Sequence, residues 1–329
     1  MKRVVLLLLV LSIALAMYAA GQQEGSKVAS GYPSRPIEVF VPSNPGSTSD
    51  MAVRMIQPFL EKHLGVPVVV VNLPGSNGTI WMLRVKDAVP DGYTWGVWTL
   101  GNIAAESVMG QLVGKYDASK DVVYAGLTYI APNAVISSAK QPWNNLSDLA
   151  AAARANPGTI TWARKGPVGN NADHIREFMN SFPGTEFNII EGSFAADARN
   201  ALMGGHIDIM TDFVSSSMSL VEEGYVKILG VGGSERVAVL PDVATYGEQG
   251  YEFTNANSEW GWMAPVATPK EIVDIFSAAL EKAANEPGYK KAVEATFNPW
   301  IWKDGQETYE KLLGYFDFYR KLVEQQAGN

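Results

Sequence analysis

Two turns rich in glycine and proline hold the residues best suited to chemistry. They span residues 39–50 and 69–78, and each connects an apolar run to a predicted helix. The first backbone N–H groups of a helix have no partner within the helix, so they can donate hydrogen bonds to a small anion. The two turns therefore predict a protein that binds acids rather than an enzyme.

A third turn, at residues 162–174, also follows a predicted strand and precedes a predicted helix. Its Arg164 and Lys165 add two cations, and an arginine can hold a carboxylate through two hydrogen bonds. Two solvated surface charges are an equal alternative. A fourth turn, at residues 191–197, repeats the arrangement. There Asp197 either accepts a hydrogen bond from a ligand or favours the start of the helix.

The sequence offers little to catalysis or to metal binding. Its histidines lie in separate predicted elements, and it has no cysteine. We therefore expect no zinc site, no catalytic residue and no cofactor. A hydrolase with Ser47 or Ser49 as nucleophile would need a histidine within hydrogen-bond reach, and His174 is the candidate. We interpret the neighbouring Asp50 as a helix N-cap.

The N-terminus predicts export. Lys2 and Arg3 precede an apolar run at residues 4–15 and then small residues, a pattern typical of a secretory signal peptide over residues 1–21. Residues 22–31 are polar and predict a flexible leader. The formal net charge of −8 disfavours nucleic acid and anionic membranes as partners. We expect a periplasmic monomer.

Short apolar, β-branched runs alternate with helical patterns along the rest of the chain. This alternation predicts an α/β fold with mostly parallel sheets. The remaining length exceeds what one core usually holds, so we expect two lobes. The pattern restarts near Ala134 and crosses back near Trp260, which predicts a two-strand hinge beside a ligand cleft. The expected lobes are lobe 1, at residues 32–133 and 259–329, and lobe 2, at residues 134–258.

The lobe boundary divides the predicted strands. Residues 124–128 and 134–138 are two apolar runs, and we predict a separate strand for each, one before and one after the boundary. Residues 260–265 predict the strand that crosses back. Three helical stretches follow it, so the C-terminal segment is expected to complete lobe 1.

Several short motifs follow one another in a fixed order from Tyr32 to the end of the chain. They are Tyr32-Pro33-Ser34-Arg35-Pro36-Ile37, Val41-Pro42 with Pro45-Gly46 and Asp50, Asn72 with Pro74-Gly75 and Gly78, Pro90-Asp91-Gly92-Tyr93-Thr94, Leu202-Met203-Gly204-Gly205-His206-Ile207-Asp208, Leu240-Pro241-Asp242-Val243, and residues 260–265. Each motif is weak by itself. In this order they resemble the periplasmic solute receptors of tripartite tricarboxylate transporters, the Bug or TctC-like family.

The resemblance implies a two-lobed, type II periplasmic-binding-protein fold, a Venus flytrap that closes on an organic acid with one, two or three carboxylates. It implies that backbone amides and ordered water from residues 42–50 and 163–170 hold one carboxylate. It also implies that the closed receptor hands its ligand to one large and one small membrane subunit. A ligand sensor for a signalling partner needs the same closure and is the alternative.

The chain departs from the family pattern at two positions. Ser47 stands where family members often carry a second glycine, and Trp162-Ala163-Arg164-Lys165 replaces a Gly-x-Gly loop. The added cations predict a second carboxylate on the ligand. The candidate ligand-binding residues are Ser43, Asn44, Gly46, Ser47, Thr48, Asp50, Thr99, Ala163, Arg164, Lys165, Gly166, Gly169, Asn170, Ser193, Phe194, Asp197 and Asp212.

Overall fold

The computed structural model describes residues 31–164, 166, 169–192, 195–253 and 256–327. The predicted signal peptide and all but the last residue of the predicted leader lie outside these ranges. In the part of the chain that is described, none of the helices combines the length and the hydropathy of a membrane span.

The first third of the chain folds into three parallel strands with helices between them. In α1 the buried residues include Val53, Ile56, Leu60 and Leu64, which lie three or four positions apart and so form one apolar face against the sheet. The elements are β1 (Ile37–Val41), α1 (Thr48–Leu64), β2 (Val68–Asn72), α2 (Thr79–Lys86), β3 (Thr94–Thr99) and α3 (Leu100–Met109).

The longest strand, β4 (Val122–Ser138), connects the two halves of the molecule and has 17 residues. The prediction of separate strands at 124–128 and 134–138 is therefore wrong. Pro132 and Asn133 resemble a turn in sequence, but here both lie within the strand. The Asn133 side chain donates to the Ala256 carbonyl oxygen at 2.6 Å, which ties β4 to the returning chain.

The second half repeats the alternation. Strand β5 pairs in parallel with β6 and with β7, whereas β7 and β8 run antiparallel to β4. The elements are α4 (Leu146–Ala155), β5 (Thr161–Arg164), α5 (Asn170–Ser181), β6 (Asn188–Glu191), α6 (Ala195–Gly204), β7 (Ile209–Phe213), α7 (Val214–Glu222) and β8 (Val226–Val231).

The C-terminal part pairs and packs with elements of the first half. Strand β9 lies antiparallel between β3 and β4, and the last helix packs along α3 and β4. The elements are β9 (Asn257–Pro265), α8 (Lys270–Asn285), α9 (Pro287–Glu294), β10 (Trp300–Asp304) and α10 (Gly305–Ala327).

The strands form one continuous sheet in the order β2-β1-β3-β9-β4-β7-β5-β6, with β8 and β10 also paired to β4. Apolar cores lie between the sheet and the helices. In the first half, one core holds α1 and α8 and another holds α3 and α10. In the second half, α4 and α5 share one core, and α6 and α7 share the other. The outer strands are parallel as predicted, and the crossing strands β4 and β9 are antiparallel.

Candidate functional site

The turn after β1 leaves the start of α1 open to a ligand. Ser47 is the N-cap, and its Oγ accepts from the Asp50 N–H at 3.3 Å and lies 2.6 Å from the Ser43 Oγ. The interpretation of Asp50 as the N-cap is therefore wrong, because the helix begins at Thr48 and places Asp50 third. The N–H groups of Thr48 and Ser49 make no hydrogen bond within the described residues. They are free to donate to an anion.

The Asp50 carboxylate fixes this turn from behind. It accepts from the Gly46 N–H at 2.8 Å, the Arg54 Nε at 2.9 Å and the Asn72 Nδ2 at 3.0 Å. Burial opposes its ionisation, but these bonds, led by that from Arg54, outweigh burial and hold the pKa of Asp50 below its ordinary value. The side chain is only 3% exposed and is engaged by all three donors, so it positions the exposed Gly46 rather than contacting a ligand.

Helix α3 begins where β3 ends, at the same edge of the sheet. Thr99 is its N-cap, and the Thr99 Oγ1 accepts from the Asn102 Nδ2 at 2.8 Å. The pairing of Thr99 with Trp260 directs the Leu100 N–H to the Glu259 carbonyl oxygen of β9, whereas the Gly101 N–H has no acceptor among the described residues outside the helices and strands. A Cβ added to Gly169 of the second half would lie 2.8 Å from the Asn102 Oδ1. The start of α3 therefore meets the start of α5 across the boundary between the halves.

The turn after β5 approaches from the second half. Gly169 is the N-cap of α5 with φ of 98°, a backbone conformation that favours glycine. Ala163 is buried in β5, and Arg164 ends the strand. The Arg164 Nε donates to the Glu191 Oε1 at 2.9 Å, and its Nη2 contacts the same oxygen. In this structure Arg164 is therefore paired with a neighbouring strand.

The end of β7 completes the arrangement. Phe213 is the N-cap of α7, and its ring centroid lies 5.8 Å from that of Trp260 on β9. The Trp260 Nε1 donates to the Ser49 Oγ at 2.8 Å, so one tryptophan connects the starts of α1 and α7. Asp212, just before Phe213, accepts from the Arg199 Nε at 2.5 Å.

Four helix starts, those of α1 and α3 from the first half and of α5 and α7 from the second, lie next to one another at the boundary between the halves, a region that we call the cleft. Thr99 pairs with Trp260 in the β3–β9 ladder, which places α3 beside the tryptophan. The Asn171 Nδ2 of α5 donates to the Thr211 carbonyl oxygen just before α7, at 3.2 Å. Because helix N-termini carry partial positive charge, the cleft suits a negatively charged group.

Most of the predicted ligand residues that are described lie around this cleft. Asp197 is exposed in the first turn of α6, and the buried Asp212 is paired with Arg199. Lys165, Ser193 and Phe194 lie outside the described residues. Those placed on the turns or helix starts of the cleft are Ser43, Asn44, Gly46, Ser47, Thr48, Asp50, Thr99, Ala163, Arg164, Gly166, Gly169 and Asn170.

His174 makes no hydrogen bond to either candidate serine among the described residues. It is fully buried, and burial lowers its pKa to about 4, so the imidazole is neutral near pH 7. Its Nδ1 lies 2.8 Å from the Asn170 carbonyl oxygen, whereas the Ser49 hydroxyl is engaged by Trp260 and that of Ser47 by Ser43. Within the described residues, no serine–histidine pair of a hydrolase is formed.

Two polar residues at the cleft, Asn102 and Arg199, were not predicted from the sequence. Asn102 lies in α3, which was not predicted. Arg199 follows the fourth turn by only a few residues, and a basic residue two positions after the predicted Asp197 was the available signal. Its partner Asp212 was predicted, but as a ligand contact rather than as the carboxylate that holds an arginine.

Comparison with known proteins identifies the family. The sequence profile described as the tripartite tricarboxylate transporter family receptor, TctC, matches residues 52–314. The chain belongs to this receptor family. A UPF0065 protein of Bordetella bronchiseptica is 30% identical, covering 90% of this chain and 87% of its own length. Protein BugT of Bordetella pertussis is 28% identical, covering 82% of this chain and 81% of its own length. The resemblance derived from the motifs is confirmed.

Solved structures of similar proteins share the fold. The periplasmic binding protein BugD matches with a TM-score of 0.77 and 26% identity, over 89% of this chain and 98% of its own. MatC of Rhodopseudomonas palustris, with bound malate, matches with a TM-score of 0.76 and 25% identity, over 89% of this chain and 100% of its own. A TctC solute-binding protein from Polaromonas matches with a TM-score of 0.74 and 26% identity, over 89% of this chain and 99% of its own. The predicted fold class is confirmed.

Proposed function

We propose that the protein is an extracytoplasmic solute receptor that captures a small organic carboxylate in the cleft and delivers it to a tripartite tricarboxylate-type transporter. The observation that carries the proposal is that four helix starts from both halves meet at the boundary between the halves. At α1 and α3 these starts present N–H groups without an acceptor among the described residues. An acid is the ligand that such donors stabilise.

The strength of the expected interaction fits a receptor. Each hydrogen bond to a charged group contributes about 1.5–3 kcal/mol. Two or three such bonds hold one carboxylate with useful affinity and without catalysis. MatC, a structural neighbour with bound malate, supports an acid as ligand, and the family is one of receptors.

Capture requires two lobes that close. We assign lobe 1 to residues 32–133 and 259–329 and lobe 2 to residues 134–258, joined by β4 and β9. The ligand binds the closed form more tightly and so shifts the population from open to closed. Membrane subunits then recognise the closed form, which distinguishes loaded from empty receptors.

Export places the receptor where it meets its ligand. Family members such as BugD are periplasmic binding proteins, and the predicted signal peptide at residues 1–21 would take this chain to the same compartment. Expression of the full chain in a Gram-negative host, followed by intact mass spectrometry of the periplasmic fraction, tests this. A mature chain that starts after Ala20 or Gly21 is the expected result, and an uncleaved cytoplasmic chain contradicts it.

The ligand class is tested first by a thermal-shift screen of the mature protein against mono-, di- and tricarboxylates and acidic amino acids. A ligand that binds only the folded state raises the melting temperature by mass action. We expect a shift with at least one acid. No shift with any of them counts against the proposed function.

A proline substitution then tests the backbone donors directly. Proline is tolerated at the first position of a helix but has no N–H, and the extended N-cap Ser47 accommodates a following proline. Thr48→Pro should weaken binding of the acid about tenfold or more, by removal of one donor. Lys270→Pro at the first position of α8 is the matched control, and Thr48→Ala separates the hydroxyl from the N–H. Equal affinities for Thr48→Pro and Lys270→Pro exclude this site.

A further inference from the structure

An ion pair between Arg199 and Asp212 lies at the edge of the cleft. The proposed function gives no role to the Arg199 guanidinium. The Arg199 Nε donates to the Asp212 Oδ2 at 2.5 Å. In the β4–β7 ladder Asp212 stands opposite Ala134, where β4 enters the second half, and it lies beyond Met210, the last residue of β7 paired with β5. The pair therefore projects from the end of the strand at the boundary between the halves.

The two partners differ in how much of each remains available. The Asp212 side chain is 5% exposed, and its oxygens also accept from the Phe213 N–H at 2.8 Å and from the Ser217 hydroxyl at 3.3 Å. The Arg199 side chain is 25% exposed, and only its Nε is hydrogen-bonded among the described residues. The accessible part of the pair is thus the far end of the guanidinium, with its two Nη amino groups.

Because Arg199 is accessible and Asp212 is not, the pair can bind an anionic group of a ligand but not a cationic one. An ammonium group would need a carboxylate with free oxygen lone pairs, and both oxygens of Asp212 are already engaged. A carboxylate finds two parallel N–H donors on a guanidinium whose plane is fixed through Nε. Of the two cations predicted from sequence, Arg164 is occupied by Glu191 on the neighbouring strand, and Lys165 lies outside the described residues.

We propose that Arg199 binds a second, distal carboxylate of the ligand and so makes the receptor selective for dicarboxylates. The inference rests on the proposed function, in which the first carboxylate lies at the starts of α1 and α3. Asp212 acts as a positioning residue, because it holds the guanidinium at the end of β7 without contacting the ligand.

Calorimetric titration at pH 7 with two pairs of acids tests the proposal. The pairs are succinate with its half-amide succinamate, and adipate with its half-amide adipamate; each half-amide keeps one carboxylate and loses the distal charge. The wild-type protein should bind one of the diacids about 10- to 100-fold more tightly than its half-amide. Arg199→Met should remove this preference and leave the affinity for the half-amide unchanged.

Further variants separate recognition from folding. Arg199→Met leaves the buried Asp212 without its cation, so Arg199→Met combined with Asp212→Asn provides a variant without either charge, and it should show the same loss of preference. Arg164→Met is the matched control on the other paired arginine and should keep the preference.

Two outcomes overturn the assignment of Arg199 and leave the proposed carboxylate receptor intact. In the first, wild-type protein binds each diacid and its half-amide equally. In the second, Arg164→Met loses the preference for the diacid while Arg199→Met keeps it. An equal fall in affinity for diacid and half-amide in both Arg199 variants also overturns the assignment, since that is a structural role. Absence of binding to all four acids overturns the inference alone when another acid shifts the melting temperature in the thermal-shift screen, and it overturns the proposed function as well when none does.

Discussion

Tyr319 provides a direct test of closure, because it joins α10 to the second half. Its hydroxyl donates to the Asp173 Oδ2 at 2.5 Å, and the two residues are only 2% and 1% exposed. Asp173 lies in the first turn of α5, beside Gly169, whereas Tyr319 packs in the core that holds α3 and α10. Opening of the cleft would separate these partners, so Tyr319→Phe should destabilise the closed form.

The size of the effect follows from the charge on Asp173. A hydrogen bond to a charged group contributes about 1.5–3 kcal/mol, which corresponds to affinity for the acid about 10- to 100-fold weaker. Burial raises the pKa of Asp173, against the opposing effects of Tyr319 and Arg176. Loss of the tyrosine hydroxyl raises that pKa further. The defect should therefore be largest at neutral pH and should shrink as the pH falls through the raised pKa and Asp173 becomes protonated.

Calorimetric titration with the acid found in the thermal-shift screen measures this at pH 7 and again in acid. Tyr315→Phe is the matched control, because Tyr315 lies one helical turn earlier and is 5% exposed. Its hydroxyl donates to the Asn257 carbonyl oxygen and to Glu259, both on β9, so its loss should lower stability without changing affinity. Equal affinity losses for the two variants, or a Tyr319→Phe defect independent of pH, would refute the reasoning.

Three other predictions concern single residues of α1 and of α5 with its N-cap. Asp50→Asn should lower the free energy of unfolding by about 2 kcal/mol in urea at pH 7, because a buried carboxylate that holds three donors loses its charge; unchanged stability contradicts its positioning role. For His174, whose pKa falls to about 4, the neutral form stabilises the fold above the unfolded pKa near about 6.5, and that contribution is lost as the pH drops toward 4. His174→Gln should remove this fall in the free energy of unfolding, which is on the order of 3 kcal/mol in the wild type. Urea unfolding at pH 7 and at pH 4.5 measures it, and an equal fall in wild type and variant contradicts the prediction. Gly169→Ala should weaken acid binding more than Gly114→Ala, since both glycines have positive φ but only Gly169 meets Asn102; equal affinities would show that this contact is unimportant.

The strand, turn and helix at residues 37–64 could be predicted from the sequence because the residues that determine them are close together in the chain. The apolar strand at residues 37–41, the Pro-Gly turn and the α1 apolar spacing each act within a few residues, and the structure retains them. The N-cap was misassigned because Ser47 and Asp50 are both good capping residues. Which of them caps depends on Arg54 and Asn72, whose bonds to Asp50 come from outside the turn.

Other features depend on tertiary contacts that no local pattern encodes. Helix α3 was missed because nearly all its residues are buried, so its sequence lacks the polar face that indicates a helix. The continuity of β4 through Pro132 depends on pairing with Asn257 of β9, far away in sequence. Likewise, Arg199 acquires its role only when the fold brings it to Asp212.

The uninterrupted β4 also has a consequence for how the molecule folds. Its 17 residues belong to the sheets of both halves, and its longest partner, β9, comes from the far end of the chain. The core under α10 cannot close until those last residues are available, so early synthesis products have no complete lobe of their own. Since neither half can lose its central strand without disrupting the other, heating should melt both lobes in a single calorimetric transition.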